Sequence, residues 1–353
     1  MTERKRDHVD IVLGKEVRPR HNHWDDVHFL HRALPEIDLE EIDTGVTLFG
    51  KRLAAPLIIS SMTGGFEDAV RINDNLAYGA SKVGVGMGVG SQRPVLQDQA
   101  PEDSWTVVEK HRVPLMIANI GAPQLIRQGE KEPLGLEEAR RALQMVGGDI
   151  LAIHFNYTQE IVQPEGDRRA RGVLEAVRTI AKELPVLAKE TGAGISKEVA
   201  LQLKEAGVQG IDIGGLGGTS FSAVEFYRAQ MEGMEQKERL GEVFWEWGIP
   251  SPISLFLSQV GLPLIATGGI RNGLDVAKAV ALGSSAAGMA SQMLRAAERS
   301  AEAVVRELES VIAELKAVMF LTGCTDVSRL HETRVMLTGP TKDWADSLGL
   351  LGG

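Results

Sequence analysis

The sequence predicts an α/β protein, a (β/α)8 TIM barrel with an N-terminal extension and a C-terminal helical tail. Eight short apolar runs recur along the chain, helical patterns lie between most of them, and a proline stands just before every second run. Apolar runs without alternation suit parallel strands covered on both faces, and alternating strand and helix patterns imply a parallel sheet with helical crossovers. An open doubly wound sheet is the competing architecture.

The strands are read at Leu57–Ser61, Val83–Gly90, Leu115–Asn119, Ile150–Phe155, Val186–Lys189, Gly210–Gly214, Leu264–Thr267 and Ala286–Met289. Helical patterns fall at Asp68–Lys82, Leu136–Val146, Arg171–Glu183, Lys197–Ala206 and Leu274–Leu282. Pro56, Pro114, Pro185 and Pro263 precede strands one, three, five and seven, where a missing N–H is not yet needed. Residues 1–54 read as an arm and cap, 55–300 as the barrel, and 301–353 as a C-terminal helix and tail. The cap holds a His/Trp-rich stretch (His21, His23, Trp24, His28, His31) and a hairpin around Thr44–Lys51. Residues 220–250 form a long insertion after strand six, and residues 291–320 read as one amphipathic helix. With no Ser/Pro-rich linker, the chain reads as a single domain.

Composition narrows the function. Over 353 residues, hydrophobic residues at 43% supply a sizeable core, and a net charge of −10 excludes a global basic footprint for nucleic acid or anionic membrane. No apolar run reaches the roughly 18 residues of a membrane span, and Thr2–Asp10 is too polar for a signal peptide. The single cysteine, Cys324, allows neither an internal disulfide nor a cysteine-based metal cluster. The expectation is a soluble cytoplasmic protein that acts on a small molecule.

Barrel enzymes carry their chemistry at the C-terminal strand ends, and every end here bears glycine or polar residues. Gly268-Gly269 after strand seven and Met289-Ala290 after strand eight each open a helix, the usual phosphate position of a barrel. Lys189 ends strand five inside an apolar run, so it must meet an anion or lose its proton. A flavin edge, a Schiff base or an ion pair with Glu190 would each satisfy it. Asn119 could hold another polar edge of a flavin ring, with Ser61, Met62 and Thr63 along the ring. After strand four, His154, Asn156, Gln159 and Glu160 place an imidazole, two amides and a carboxylate within seven positions. A lone glutamate suits Mg²⁺ when phosphate oxygens and waters complete the octahedron, whereas one His and one Glu fall short of a zinc site. The basic run Arg4-Lys5-Arg6, lying outside the barrel scaffold, could fold over the mouth and clamp an anion, with Arg93 a second clamp.

These motifs together resemble the type 2 isopentenyl-diphosphate δ-isomerases, the flavin-dependent isomerases of isoprenoid biosynthesis. The resemblance spans nearly the whole chain: Arg4-Lys5 with Asp7-His8, Ser61-Met62-Thr63-Gly64-Gly65, Gly90-Ser91-Gln92-Arg93, Asn119-Ile120-Gly121, His154-Phe155-Asn156 with Gln159-Glu160, Lys189-Glu190, Gly217-Gly218-Thr219-Ser220, Gly268-Gly269-Ile270-Arg271 and Gly288-Met289-Ala290. It implies that isopentenyl and dimethylallyl diphosphate interconvert by proton addition and removal, with FMN, Mg²⁺, and NADPH as reductant of the FMN. It implies that Arg4, Lys5, Ser91, Arg93, His154, Asn156 and Gln159 contact the diphosphate substrate and that Glu160 binds Mg²⁺. FMN would lie against Ser61, Met62, Thr63, Ser91, Asn119, Lys189, Thr219, Gly268, Gly269, Ile270, Met289 and Ala290, with Glu225 near it. His154, Gln159 and Glu225 are the implied catalytic set, and a homo-oligomer, tetramer or octamer, is the implied assembly. Two departures stand out: Gly214 where the family often has Ser, and Phe221 where it has Trp. The alternative is an FMN-dependent α-hydroxy acid oxidase or dehydrogenase, whose catalytic histidine belongs after strand six. Gly215-Leu216-Gly217-Gly218-Thr219 offers neither His nor Arg there. An inosinate-type dehydrogenase needs a barrel-loop cysteine, and Cys324 lies beyond the barrel. A flavin-storage protein would not need Gln159 and Glu160 beside a second anion site.

Overall fold

The computed structural model describes residues 2–350, with side chains from Lys5 onward. Strand β1 (Val27–Phe29) belongs to the cap, and β2 (Val46–Leu48) and β3 (Lys51–Leu53) form the expected hairpin. The barrel comprises β4 (Leu57–Ile59), β5 (Gly86–Gly88), β6 (Met116–Gly121), β7 (Ile150–Phe155), β8 (Val186–Glu190), β9 (Gly210–Asp212), β10 (Leu264–Ala266) and β11 (Ala286–Met289). All pair in parallel and in sequence order, and β11 returns to β4 with Met289 opposite Ile59. That closure rules out the open sheet.

Ile58, Leu115, Ile117, Ile150, Leu187 and Ile265 fill the lower barrel. Leu48 and Leu53 join this cluster from the hairpin, which plugs the end opposite the site. Four strands are shorter than the sequence suggested, because the chain leaves the ladder to build the mouth. Gly90 N, for example, donates to Thr63 O rather than continuing the β5 pairing.

The long helix expected over 291–320 is two helices, Ser291–Arg299 and Ala301–Thr322. Ser300 is fully extended between them, and its hydroxyl caps the second helix by accepting from Ala303 N at 3.1 Å. The cap thus outcompetes an apolar periodicity that runs straight through it. The 220–250 insertion contains the helices Phe221–Met231 and Glu235–Val243.

The basic run lies on a helix, Thr2–Gly14, and this helix is part of the scaffold after all. Ile11 and Val17 are buried against Ala223 and Val224 of the Phe221–Met231 helix. A last strand, β12 (Val335–Leu337), pairs antiparallel with β1 and ties the cap to the C-terminal tail.

Candidate active site

A cavity of about 350 Å³ opens at the C-terminal strand ends beneath the N-terminal helix, which contributes Lys5, His8, Val9 and Val12 to its lining. Every described residue expected at the site lines it except Glu225 and Met289. The Arg4 side chain lies outside the described residues.

One end is built from backbone. Gly268 and Gly269 have φ of +96° and +85°, and a Cβ on Gly268 would sit 2.0 Å from Gly215 O, so glycine is required. The N–H groups of Gly268, Gly269 and Ile270 donate to no acceptor among the described residues. The helix Ser291–Arg299 starts at the same end with Ala290 as its N-cap, leaving further amides for an anion. Met289 itself is core, its carbonyl accepting from Ser60 N.

Along the wall, Ser60 Oγ is buried without a hydrogen-bond partner among the described residues, beside Ser61, Met62 and Thr63. Lys189 pairs with Asp212 at 2.7 Å, not with Glu190. Alternation along β8 turns Glu190 the other way, where one carboxylate oxygen accepts from Gly192, Ala193 and Gly194 N–H. Burial outweighs those bonds and pushes Glu190 up to about 7. Gly214 has φ +45°, and a Cβ there would meet Glu190 O at 2.0 Å. A serine does not fit, which accounts for that departure. Asn119 donates to Val89 O and accepts from His154 Nδ1 at 2.7 Å, so its side chain is already committed. Burial, followed by the Lys189 charge, lowers His154 to about 4. At neutral pH it is the uncharged Nδ1–H tautomer, with Nε2 available as an acceptor.

At the opposite end, Asn156 donates to Glu160 Oε1 at 3.3 Å, while Glu160 Oε2 accepts from Gln163 Nε2 and Asp167 N. Asn156 Oδ1 and Gln163 Oε1 are buried without hydrogen-bond partners among the described residues. Two orphaned amide oxygens beside a carboxylate make a hard, all-oxygen donor set that suits Mg²⁺. Arg93 lines the same end but is already paired with Asp167 at 2.9 Å. Lys5 Nζ donates to Ser91 O at 3.0 Å and lies 5.0 Å over the Trp105 ring.

Glu225 stands behind the wall, fully buried. It accepts from Gln159 Nε2 at 2.8 Å, and it pairs with His8 at 2.9 Å and Arg228 at 2.6 Å. Burial alone would raise its pKa; His8, Arg228 and Gln159 overcome that and hold it at about 2. It positions Gln159 and His8 rather than touching the cavity.

Sequence reading assigned no role to Ser60, Asp212, Gln163, Asp167, Asn22 or Trp24. Asp212 had a signal, an acid inside the apolar Gly210–Ile213 run one strand from Lys189. Asp167 and Gln163 had none, since only the loop geometry brings them to Arg93 and Glu160.

A backbone anion grip, a flanking polar wall and a second polar end inside one barrel mouth define a flavin-type (β/α)8 barrel. The family model "FMN-dependent dehydrogenase" matches residues 156–337. Solved mandelate oxidase structures share the fold at 20% identity, one with a TM-score of 0.62 over 93% of this chain and 95% of that one. The chain belongs to the isopentenyl-diphosphate delta-isomerase family. It is 46% identical to the isopentenyl-diphosphate delta-isomerase of Thermoplasma volcanium (97% of this chain, 99% of the relative). It is also 46% identical to that of Archaeoglobus fulgidus (99% of each) and 44% identical to that of Thermoplasma acidophilum (98% and 99%).

Proposed function

We propose that this chain interconverts isopentenyl and dimethylallyl diphosphate, with FMN at the glycine end of the cavity and substrate between the flavin and the N-terminal helix. The observation that carries the reading is one cavity with two differently built ends: amides at 268–270 that have no acceptor among the described residues and suit an anion directly, and opposite them Lys5 and Arg93 beside the Asn156–Glu160–Gln163 oxygens, which suit the cation that would bridge to a diphosphate. The fold and the family support FMN; Mg²⁺ at Glu160 rests on the donor set.

Protonating an alkene creates a tertiary cation, which reduced FMN, electron-rich and recharged by NADPH, would stabilise. The protein's own residues do the rest. Lys189, held by Asp212, places a positive charge beside the cofactor wall. Ser61, Met62, Thr63 and Thr219 shape that wall, and Ser60 Oγ offers it an unpaired hydroxyl. His154, Asn156, Gln159 and Ser91 orient the substrate, and Lys5 closes over its diphosphate; a contact from Arg4 is part of the same reading through the resemblance alone. Glu225 keeps Gln159 and His8 in register. The resemblance carries a homo-oligomer in the cytoplasm as part of the same reading, and no helix among the described residues is long and apolar enough to cross a membrane.

The test is simultaneous occupancy. Protein loaded with FMN and titrated with isopentenyl diphosphate and Mg²⁺ should bind both, with perturbed flavin absorbance and no release of FMN. Displacement of FMN by substrate would overturn the arrangement. An oxidase has no comparable support: the loop Gly214–Thr219 carries no imidazole or guanidinium.

A further inference from the structure

The cap segment His21–Asp26 packs against the glycine turn beside the cavity, which Asn22 helps to line. Asn22 Nδ2 donates to Gly269 O at 2.9 Å, and Trp24 Nε1 donates to Gly268 O at 2.8 Å. Ser251 Oγ gives Gly268 O a second donor at 2.7 Å. Both carbonyls of the turn are therefore engaged by side-chain donors, while the amides of Gly268, Gly269 and Ile270 have no acceptor among the described residues. A glycine pair with positive φ has little steric preference for one peptide orientation. Without these side-chain donors, a flipped peptide would aim a carbonyl lone pair at the bound anion and remove a donor from it.

The segment is itself anchored. Asn22 Oδ1 caps it by accepting from Trp24 N, and Lys278 Nζ donates to Trp24 O at 2.7 Å. On the far side, Asp26 Oδ2 accepts from Thr341 N and Thr341 Oγ1 at 3.1 and 2.6 Å and from His21 at 2.8 Å. Trp24 is fully buried, so its donor cannot swing to water.

We propose that Asn22 and Trp24 are positioning residues for cofactor phosphate: they fix the peptide orientation of the 268–270 turn so that its amides face the phosphate of FMN. This rests on the reading of the glycine end as the FMN phosphate site. The assignment is specific, because it concerns the phosphate and not the ring. Trp24→Phe keeps most of the side-chain volume and deletes the donor; Asn22→Ala deletes the other donor and the cap.

The test compares FMN with riboflavin, which has the same ring and no phosphate, by flavin fluorescence quenching on apoprotein, with a thermal melt of each variant. Wild type should favour FMN strongly. Each variant should lose about 3- to 10-fold in the FMN-to-riboflavin affinity ratio, the worth of one hydrogen bond to the turn, while riboflavin affinity stays within about twofold. Retained riboflavin affinity reports an intact fold. Ratios unchanged in both variants, with FMN still preferred by wild type, overturn the proposal alone. A wild type with no preference for FMN overturns the phosphate reading and this inference with it.

Discussion

His154 and Asn119 form one hydrogen-bonded unit across neighbouring strands, with Nδ1–H of the imidazole donating to Asn119 Oδ1 over 2.7 Å. The bond sets the tautomer and leaves Nε2 as the acceptor of a side chain that lines the cavity. Asn119→Leu removes the acceptor at similar volume. Turnover should fall at least about tenfold, short of the roughly 10²–10⁴-fold that a well-placed acid or base contributes, because the imidazole stays and only its orientation is lost. Steady-state kinetics beside an FMN titration would show turnover falling more than cofactor affinity. Equal losses in both would mean Asn119 serves the flavin directly.

The low pKa of His154 has a consequence for stability. With a folded value of about 4 against 6.5 when unfolded, the unfolded chain binds more protons between those values. Stability from this group is complete above about pH 6.5 and is lost as pH falls toward 4, by about 2–4 kcal/mol. Glu225, held at about 2, adds a further loss below about pH 4.5. Denaturant melts of apoprotein across pH 4–8 check this, and His154→Asn should flatten the upper part of the profile.

Lys189 and Asp212 make a buried pair. Asp212→Asn leaves the ammonium without its counter-charge and should cost about 3–5 kcal/mol of stability. Bound FMN should recover part of that loss by placing its own polar edge near Lys189. Melting curves with and without FMN measure both effects.

Glu160→Gln should abolish the Mg²⁺ requirement together with most turnover, and leave FMN affinity intact. Glu160 also accepts from Asp167 N, so a stability loss of about 1–3 kcal/mol should accompany it. Turnover against Mg²⁺ concentration decides: an unchanged metal dependence places the ion elsewhere.

Lys5→Ala should weaken substrate binding about 10- to 150-fold, as expected for one charge-assisted contact, with FMN affinity unchanged. Deleting residues 1–8 is a different experiment, because His8 pairs with buried Glu225 and the helix Thr2–Gly14 packs against the scaffold. The deletion should lower stability as well as affinity.

The barrel was legible because parallel strands buried on both faces leave uninterrupted apolar runs, and Pro56, Pro114, Pro185 and Pro263 punctuate them. The strand-end residues were legible for the same reason: their position follows from the strands. What a linear reading could not reach were contacts that join distant segments. Asn22 and Trp24 meet Gly268 and Gly269 across about 245 residues of chain, and Glu225 approaches Gln159 only through the packing of two helices. Ser300 shows the local limit, where one side-chain cap splits a helix that periodicity alone would continue.

The most direct measurement is the reaction itself. Isopentenyl diphosphate is incubated with the protein, FMN, Mg²⁺ and dithionite, and dimethylallyl diphosphate is followed by proton NMR. Conversion should proceed to an equilibrium mixture, stop when FMN, the reductant or Mg²⁺ is withheld, and involve no net consumption of reductant. Absence of conversion by FMN-loaded, folded protein would contradict the proposed function, as would conversion indifferent to the flavin.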